Sequence, residues 1–195
     1  MNQEAVLRTF ARAAEDAHAA LTELDQLSGD GDFGDNLRGG LREAVARFDA
    51  GGTSAFGALG EVFLDEVGGT SGPLLGLLFT EIAQALDGGG SFGDGARAGL
   101  AAIQRVGEAQ VGDRTLVDAL SPAVDAFATG GFVAAAAAAK KGADHTAELR
   151  ARMGRASYVG DRAKGEPDPG AVGIAVLFWA AATVESPDAA VEKPL

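Results

Sequence analysis

The chain has 195 residues, 47% of them hydrophobic but only 6% aromatic, no cysteine, and a formal net charge of −12. That length suits one sizeable domain and is short for two, and an apolar fraction led by Ala and Leu favours close-packed helices over sheets. The acidic balance argues against general nucleic-acid or acidic-membrane binding, and the missing thiols exclude disulfides and thiolate metal sites.

The segment from Met1 to Arg8 lacks a basic region followed by an apolar core, so no signal peptide is expected there. The longest apolar run, residues 171–184, is too short to cross a bilayer. A soluble, cytoplasmic protein is the expectation.

Val6, Phe10, Ala13, Ala17, Leu21 and Leu24 form one apolar stripe on a long first helix. It runs into Leu24-Asp25-Gln26-Leu27-Ser28-Gly29-Asp30-Gly31-Asp32-Phe33-Gly34-Asp35-Asn36. Asp25, Asp30 and Asp32 converge only if the chain between them curls, which Gly29, Gly31 and Gly34 permit. Three anionic oxygen donors without His or Cys suit Mg²⁺ or Ca²⁺. The spacing rejects an EF-hand: with Asp30 at loop position 1, Asp35 falls where glycine is required and Leu41 where Glu is. A metal–phosphate site and a plain solvated acidic turn both remain open at this point.

A second helix is expected from about Asn36 to Phe48, with Leu37, Leu41, Val45 and Phe48 inward, and a third carries Phe56, Leu59, Val62, Phe63 and Val67. Gly68-Gly69-Thr70-Ser71-Gly72-Pro73 leads to a fourth, Pro73 to Leu86, apolar on nearly every side and expected at the centre. Ser91 can cap a fifth helix, Phe92 to Glu108. After Gly112-Asp113-Arg114-Thr115 comes a sixth with Val117, Leu120, Val124 and Phe127, where Pro122 predicts a kink or late start. The seventh is expected from Phe132 to Met153, its six alanines (134–139) letting a neighbour come close. A long loop, Gly154 to Gly170, precedes the eighth, Ala171 to Val184.

Short turns make successive helices antiparallel. An all-α, eight-helix up-and-down bundle then collects the connections 1–2, 3–4, 5–6 and 7–8 at one end. Those four hold the aspartate loop, the Thr70-Ser71 segment, the Arg114 segment and the long last loop.

At that end, Thr70 and Ser71 sit where a helix N-terminus offers free N–H groups to an anion, although an ordinary cap would look the same. Asn36 reads the same two ways. The last loop is locally basic, with Arg150, Arg152, Arg155, Arg162 and Lys164 against Asp161. Arg155, following a glycine, can present forked donors to phosphate oxygens. Neither His18 nor His145 falls in these loops, and no side-chain pairing offers a nucleophile. Phosphoryl transfer needs none; it needs metal ions, donors and positioning.

Leu24-Asp25, Gly29-Asp30-Gly31-Asp32, Gly68-Gly69-Thr70-Ser71-Gly72-Pro73-Leu74, Gly112-Asp113-Arg114-Thr115-Leu116, Gly154-Arg155-Ala156-Ser157-Tyr158 and Asp168-Pro169-Gly170-Ala171 together resemble the nucleotide-binding L subunit of dihydroxyacetone kinases, the DAK2-domain family. The resemblance covers almost the whole chain. It implies an eight-helix antiparallel barrel, treated as one domain over 1–195, with ADP or ATP and two Mg²⁺ at its loop end. By the same match Asp25, Asp30 and Asp32 would ligate the ions. Phe33, Gly34, Asp35, Asn36, Thr70 and Ser71 would surround the phosphates with Arg155 close by, Gly107 and Leu116 would line the adenine pocket, and Asp168, Pro169 and Gly170 would border the nucleotide. Many relatives carry His, Thr or Cys at the position of Phe33, whose ring cannot bond phosphate and leaves only the backbone N–H to do so.

The resemblance further implies one subunit of a split kinase, acting on dihydroxyacetone or a related small ketose held by a separate K subunit. The nucleotide would be recharged by a phosphorylated M subunit of the phosphotransferase system or exchanged for free ATP. A homodimer is left open. The alternative is a catalytically silent nucleotide-sensing module that binds a regulator.

Overall fold

The computed structural model describes residues 1–159 and 163–195, and the ordered elements among them are helices. They are α1 (Gln3–Ser28), α2 (Phe33–Ala50), α3 (Ala55–Asp65), α4 (Ser71–Asp87), α5 (Phe92–Gly107), α6 (Val117–His145), a 3₁₀ turn at Thr146–Glu148, the single-turn α7 (Ala156–Val159) and α8 (Pro169–Glu185). Each long helix packs on its neighbour in the chain, and α8 packs on both α6 and α1, which closes the ring.

α6 is two helices in one. Gly131 adopts φ 62°, ψ −153°, a conformation open essentially to glycine alone, and the chain reverses there. A Cβ on Gly142 would lie only 2.3 Å from the Asp118 carbonyl oxygen, so the two arms run back to back in close contact. Ala135, Ala136, Ala139 and Ala143 are buried along the second arm, so the alanine run does admit a close neighbour. The seventh helix of the sequence reading is thus the second arm of α6. It stops at His145, not Met153: the Thr146 hydroxyl turns back to the Ala143 carbonyl at 2.5 Å, and the 3₁₀ turn diverts the chain. By length and composition alone, residues 117–148 would suffice to span a membrane. The break leaves two arms of about 14 residues, each too short to do so.

The most enclosed helix is α8, not α4. From Pro169 to Ala182 every residue but Trp179 is buried, because α6, α1 and α2 surround it. α4 buries one stripe, Leu75, Leu78, Phe79, Ile82 and Ala83, and keeps an outer face. Inside the ring, Phe79 meets Phe63 (centroids 5.1 Å apart) and Phe10 (6.3 Å) edge-on, and Phe92 meets Phe178 edge-on at 5.5 Å. Such contacts suit the opposed charge of ring face and ring edge, so the few aromatics join helices that the chain order keeps apart.

Candidate functional site

Residues from all four of those connections line one cavity of about 190 Å³, which confirms that they gather at one end. The walls come from the end of α1 and start of α2 (Asp25, Asp32), the start of α4 (Thr70, Ser71), the α5–α6 connection (Gly107, Leu116) and the last loop (Arg155, Asp168).

The acidic corner is built by backbone economy. α1 continues to Ser28, so Asp25 sits on its last turn; α2 begins at Phe33, three residues before the expected Asn36. Only residues 29–32 remain to connect them, and Gly31 makes the turn at φ +83°. A Cβ on Gly29 would lie 2.3 Å from Asp25 Oδ1, so glycine there leaves that carboxylate its place. One carboxylate oxygen each from Asp25, Asp30 and Asp32 then falls within 4.8 Å of the other two.

Asp25 is buried and its Oδ2 accepts the Phe33 N–H at 3.1 Å; Asp30 and Asp32 are half exposed. Arg155 spans the cluster, its Nη1 bonded to Asp30 and its Nη2 3.6 Å from Asp32. The donor set is entirely anionic oxygen, and among the described residues Asp25 has no cationic side chain paired with it, which fits a hard divalent ion such as Mg²⁺.

α2 and α4 start at the cavity differently from the helices that start at the far end. α1, α3 and α5 begin there with side-chain caps from Asn2, Ser54 and Ser91. At the cavity, Asp32 and Thr70 occupy the N-cap positions of α2 and α4 without capping them. The first turn of α4 therefore has no side-chain cap beside the acidic corner, and α2 has none from its own N-cap residue, its Phe33 N–H going to Asp25 instead; both helix dipoles favour an anion there.

Asp25, Asp32, Phe33, Thr70, Ser71, Gly107, Leu116, Arg155, Asp168, Pro169 and Gly170 line the cavity, and Asp30 joins it through the carboxylate cluster. Three of the residues matched to the phosphates face elsewhere. Gly34 is a helix-crossing residue: a Cβ there would fall 2.2 Å from Thr22 Oγ1 of α1. The Asp35 carboxylate turns to His18 Nε2 (2.8 Å) and Arg38 Nη2 (2.7 Å), and the His18 bond, more than Arg38, holds its pKa below the usual range. Asn36 lines a separate hollow with Asp35 and Glu43, although its amide lies, like Arg155 Nη2, beside Gly69. The Phe33 ring is buried against Gly173 and Leu37, and its N–H is already donated to Asp25.

Asp168 does two jobs at the neck of the last loop. Its carboxylate caps α8 by accepting the Ala171 N–H at 2.8 Å, and its own N–H donates to Thr146 Oγ1 at 2.7 Å. Burial pushes its carboxyl up to about 6, a rise opposed by the Ala171 N–H and by Arg114. Arg162, in the basic stretch, lies outside the described residues. Sequence reasoning assigned no role to Arg114, Asp118 or Thr146, all buried around this neck. Charged residues in a glycine turn ordinarily signal solvent, and nothing local marks these as interior.

A profile of the DAK2 domain matches residues 27–183. The chain belongs to the DAK2-domain family. It is 36% identical to the ADP-binding subunit DhaL of the PEP-dependent dihydroxyacetone kinase 1 of Listeria innocua, covering 89% of this chain and 91% of that subunit. It is 38% identical to the L-erythrulose 1-kinase of Mycolicibacterium smegmatis over 92% of this chain, and spans about a third (34%) of that enzyme's length. Among solved structures, the dihydroxyacetone kinase of C. freundii in complex with AMP-PNP and Mg²⁺ superposes with a TM-score of 0.77 at 29% identity, over 93% of this chain and 33% of that one. The DAK2 relatives named here are kinases or a kinase subunit, and the helical fold is shared with the matching third of the C. freundii enzyme.

Proposed function

We propose that this chain is the nucleotide-carrying part of a small-ketose kinase, delivering a phosphoryl group from Mg²⁺-bound adenine nucleotide to dihydroxyacetone or a similar sugar held by a partner K subunit. The observation that carries this reading is the meeting of the Asp25–Asp30–Asp32 cluster, the uncapped start of α4 and Arg155 on one cavity. The AMP-PNP and Mg²⁺ of the C. freundii structure, and the ADP-binding role in the Listeria subunit's name, support it.

Asp25, Asp30 and Asp32 would hold the metal, which when bound neutralises and orients the phosphates. Thr70 and Ser71 present N–H and hydroxyl donors to phosphate oxygens. Leu74, Ile103 and Leu116 form an apolar wall suited to the base. With a cation taking the charge of Asp30 and Asp32, Arg155 would be free to present its forked donors to phosphate oxygens. No side-chain nucleophile is required, because the acceptor hydroxyl belongs to the sugar.

Calorimetric titration with ADP, on protein first stripped of any retained nucleotide by dialysis against EDTA, tests the reading. Binding with Mg²⁺ and none with EDTA is expected; equal binding in both refutes the metal assignment, and no binding in either refutes the function. The PEP-dependent, ADP-binding description of the Listeria subunit supports the scheme in which bound ADP is recharged by a phosphorylated M subunit. Mass spectrometry of the denatured protein then finds ADP retained through purification, whereas free exchange leaves it empty.

A further inference from the structure

The last loop leaves and re-enters the bundle through a narrow neck. The Gly165 N–H donates to the Ala147 carbonyl at 3.0 Å, and the Asp168 N–H to Thr146 Oγ1 at 2.7 Å. Two consecutive residues of the α5–α6 connection grip both limbs of this loop. On the outgoing limb, the Arg152 N–H donates to the Asp113 carbonyl at 3.1 Å, and the Arg152 guanidinium lies 3.5 Å from the Asp113 carboxylate. On the returning limb, Arg114 Nη2 donates to the carbonyls of Ala163 (2.9 Å) and Glu166 (3.0 Å).

Arg114 is only 2% exposed, and among the described residues its Nε and Nη1 have no hydrogen-bond partner. Its backbone is held at φ +61°, unusual for a residue with a Cβ, by Asp118, which accepts the N–H groups of Gly112 (2.6 Å) and Thr115 (2.8 Å) on either side. A guanidinium buried with two of its three nitrogens unpartnered is a poor packing element, since a neutral chain of similar size fills such space at lower cost. Besides a positive charge near the buried Asp168, what Arg114 supplies and an apolar residue cannot is a hold on two carbonyls of the loop that carries Arg155.

We propose that Arg114 is a positioning residue: with Asp113 it clasps the neck of the last loop and thereby sets Arg155 over Asp30 and Asp32. The consequence for ligand binding rests on the function proposed above, but the clasp itself does not. Arg114→Met removes the donors at nearly constant volume, and Arg114→Lys keeps a charged donor in case the first variant fails to fold. Trypsin cleaves after Arg150, Arg152 and Arg155, so loop opening is read as nicking without any nucleotide. Release of Mg²⁺·ADP is measured in wild type, Arg114→Met, Arg155→Ala and the double variant.

Nicking about tenfold faster in folded Arg114→Met is expected, with partial rescue in Arg114→Lys. Release of Mg²⁺·ADP is expected about tenfold faster in Arg114→Met, with no further acceleration when Arg155 is already Ala. Unchanged nicking in both folded variants overturns the clasp. Multiplying effects in the double variant overturn its action through Arg155. A wild-type protein that binds no Mg²⁺·ADP overturns the proposed function, while the nicking comparison still decides the clasp.

Discussion

Asp25→Asn preserves an oxygen acceptor for the Phe33 N–H, now 3.1 Å from Oδ2, and removes one charge from the carboxylate cluster. At 4.8 Å two unit charges repel by about 1 kcal/mol with water-like screening, and about 3.5 kcal/mol at an effective dielectric constant of ~20. Asp30 and Asp32 are half exposed, which favours the lower figure. Losing two repulsions of that size, offset in part by lost attraction to Arg155, which pairs with Asp30 and Asp32 rather than Asp25, leaves a net gain of about 1 kcal/mol, or roughly 2–4 °C in Tm. With ligand the sign reverses. At about a thousand times Kd, Mg²⁺·ADP stabilises the wild type by ~4 kcal/mol; a variant binding about a hundredfold more weakly gains only ~1.4 kcal/mol. Thermal melts with and without Mg²⁺·ADP should therefore cross, the variant melting higher alone and lower with ligand. A variant that melts lower in both conditions, or keeps the full ligand shift, would refute the reasoning.

Gly29→Ala should weaken Mg²⁺-dependent ADP binding with little loss of helix content, because its Cβ would meet Asp25 Oδ1 at 2.3 Å and displace that carboxylate; unchanged calorimetric affinity would count against this. Gly142→Val should lower stability by at least ~2 kcal/mol, since the first added carbon already overlaps the Asp118 carbonyl and both arms must separate; denaturant melts read this directly. Asp168 titrates near 6 in the fold, above its unfolded value. Its contribution is thus most favourable below about pH 4 and is lost as pH rises through about 6. Asp168→Asn, which keeps a capping oxygen for the Ala171 N–H, should remove that slope. The stability of the variant relative to wild type should rise between pH 4 and 6 and level off above, and a difference flat across this window would contradict the assignment.

The amphipathic stripes of α1, α2 and α3, the glycine punctuation and the parity of the connections were all legible locally, since a 3.6-residue repeat and a chain-reversing turn need no distant partner. The acidic corner was legible as well, because Gly29, Gly31 and Gly34 permit the curl that brings Asp25, Asp30 and Asp32 together. The end of α6 at His145 was not, for it depends on a hydroxyl of Thr146 that also receives Asp168 from 22 residues away. Nor was the outward turn of Asp35, which answers to His18 on another helix.

Sequence by itself determined the repeat, the turns and the carboxylate spacing, because those depend on bonded geometry and near neighbours. Only the tertiary structure decided that α8 rather than α4 is enclosed, that Phe33 packs inward on Gly173, and that Arg114 is buried beneath the last loop. Enclosure is a property of what surrounds a residue. An apolar helix or a charged turn carries no record of how many neighbours the closed ring will press against it.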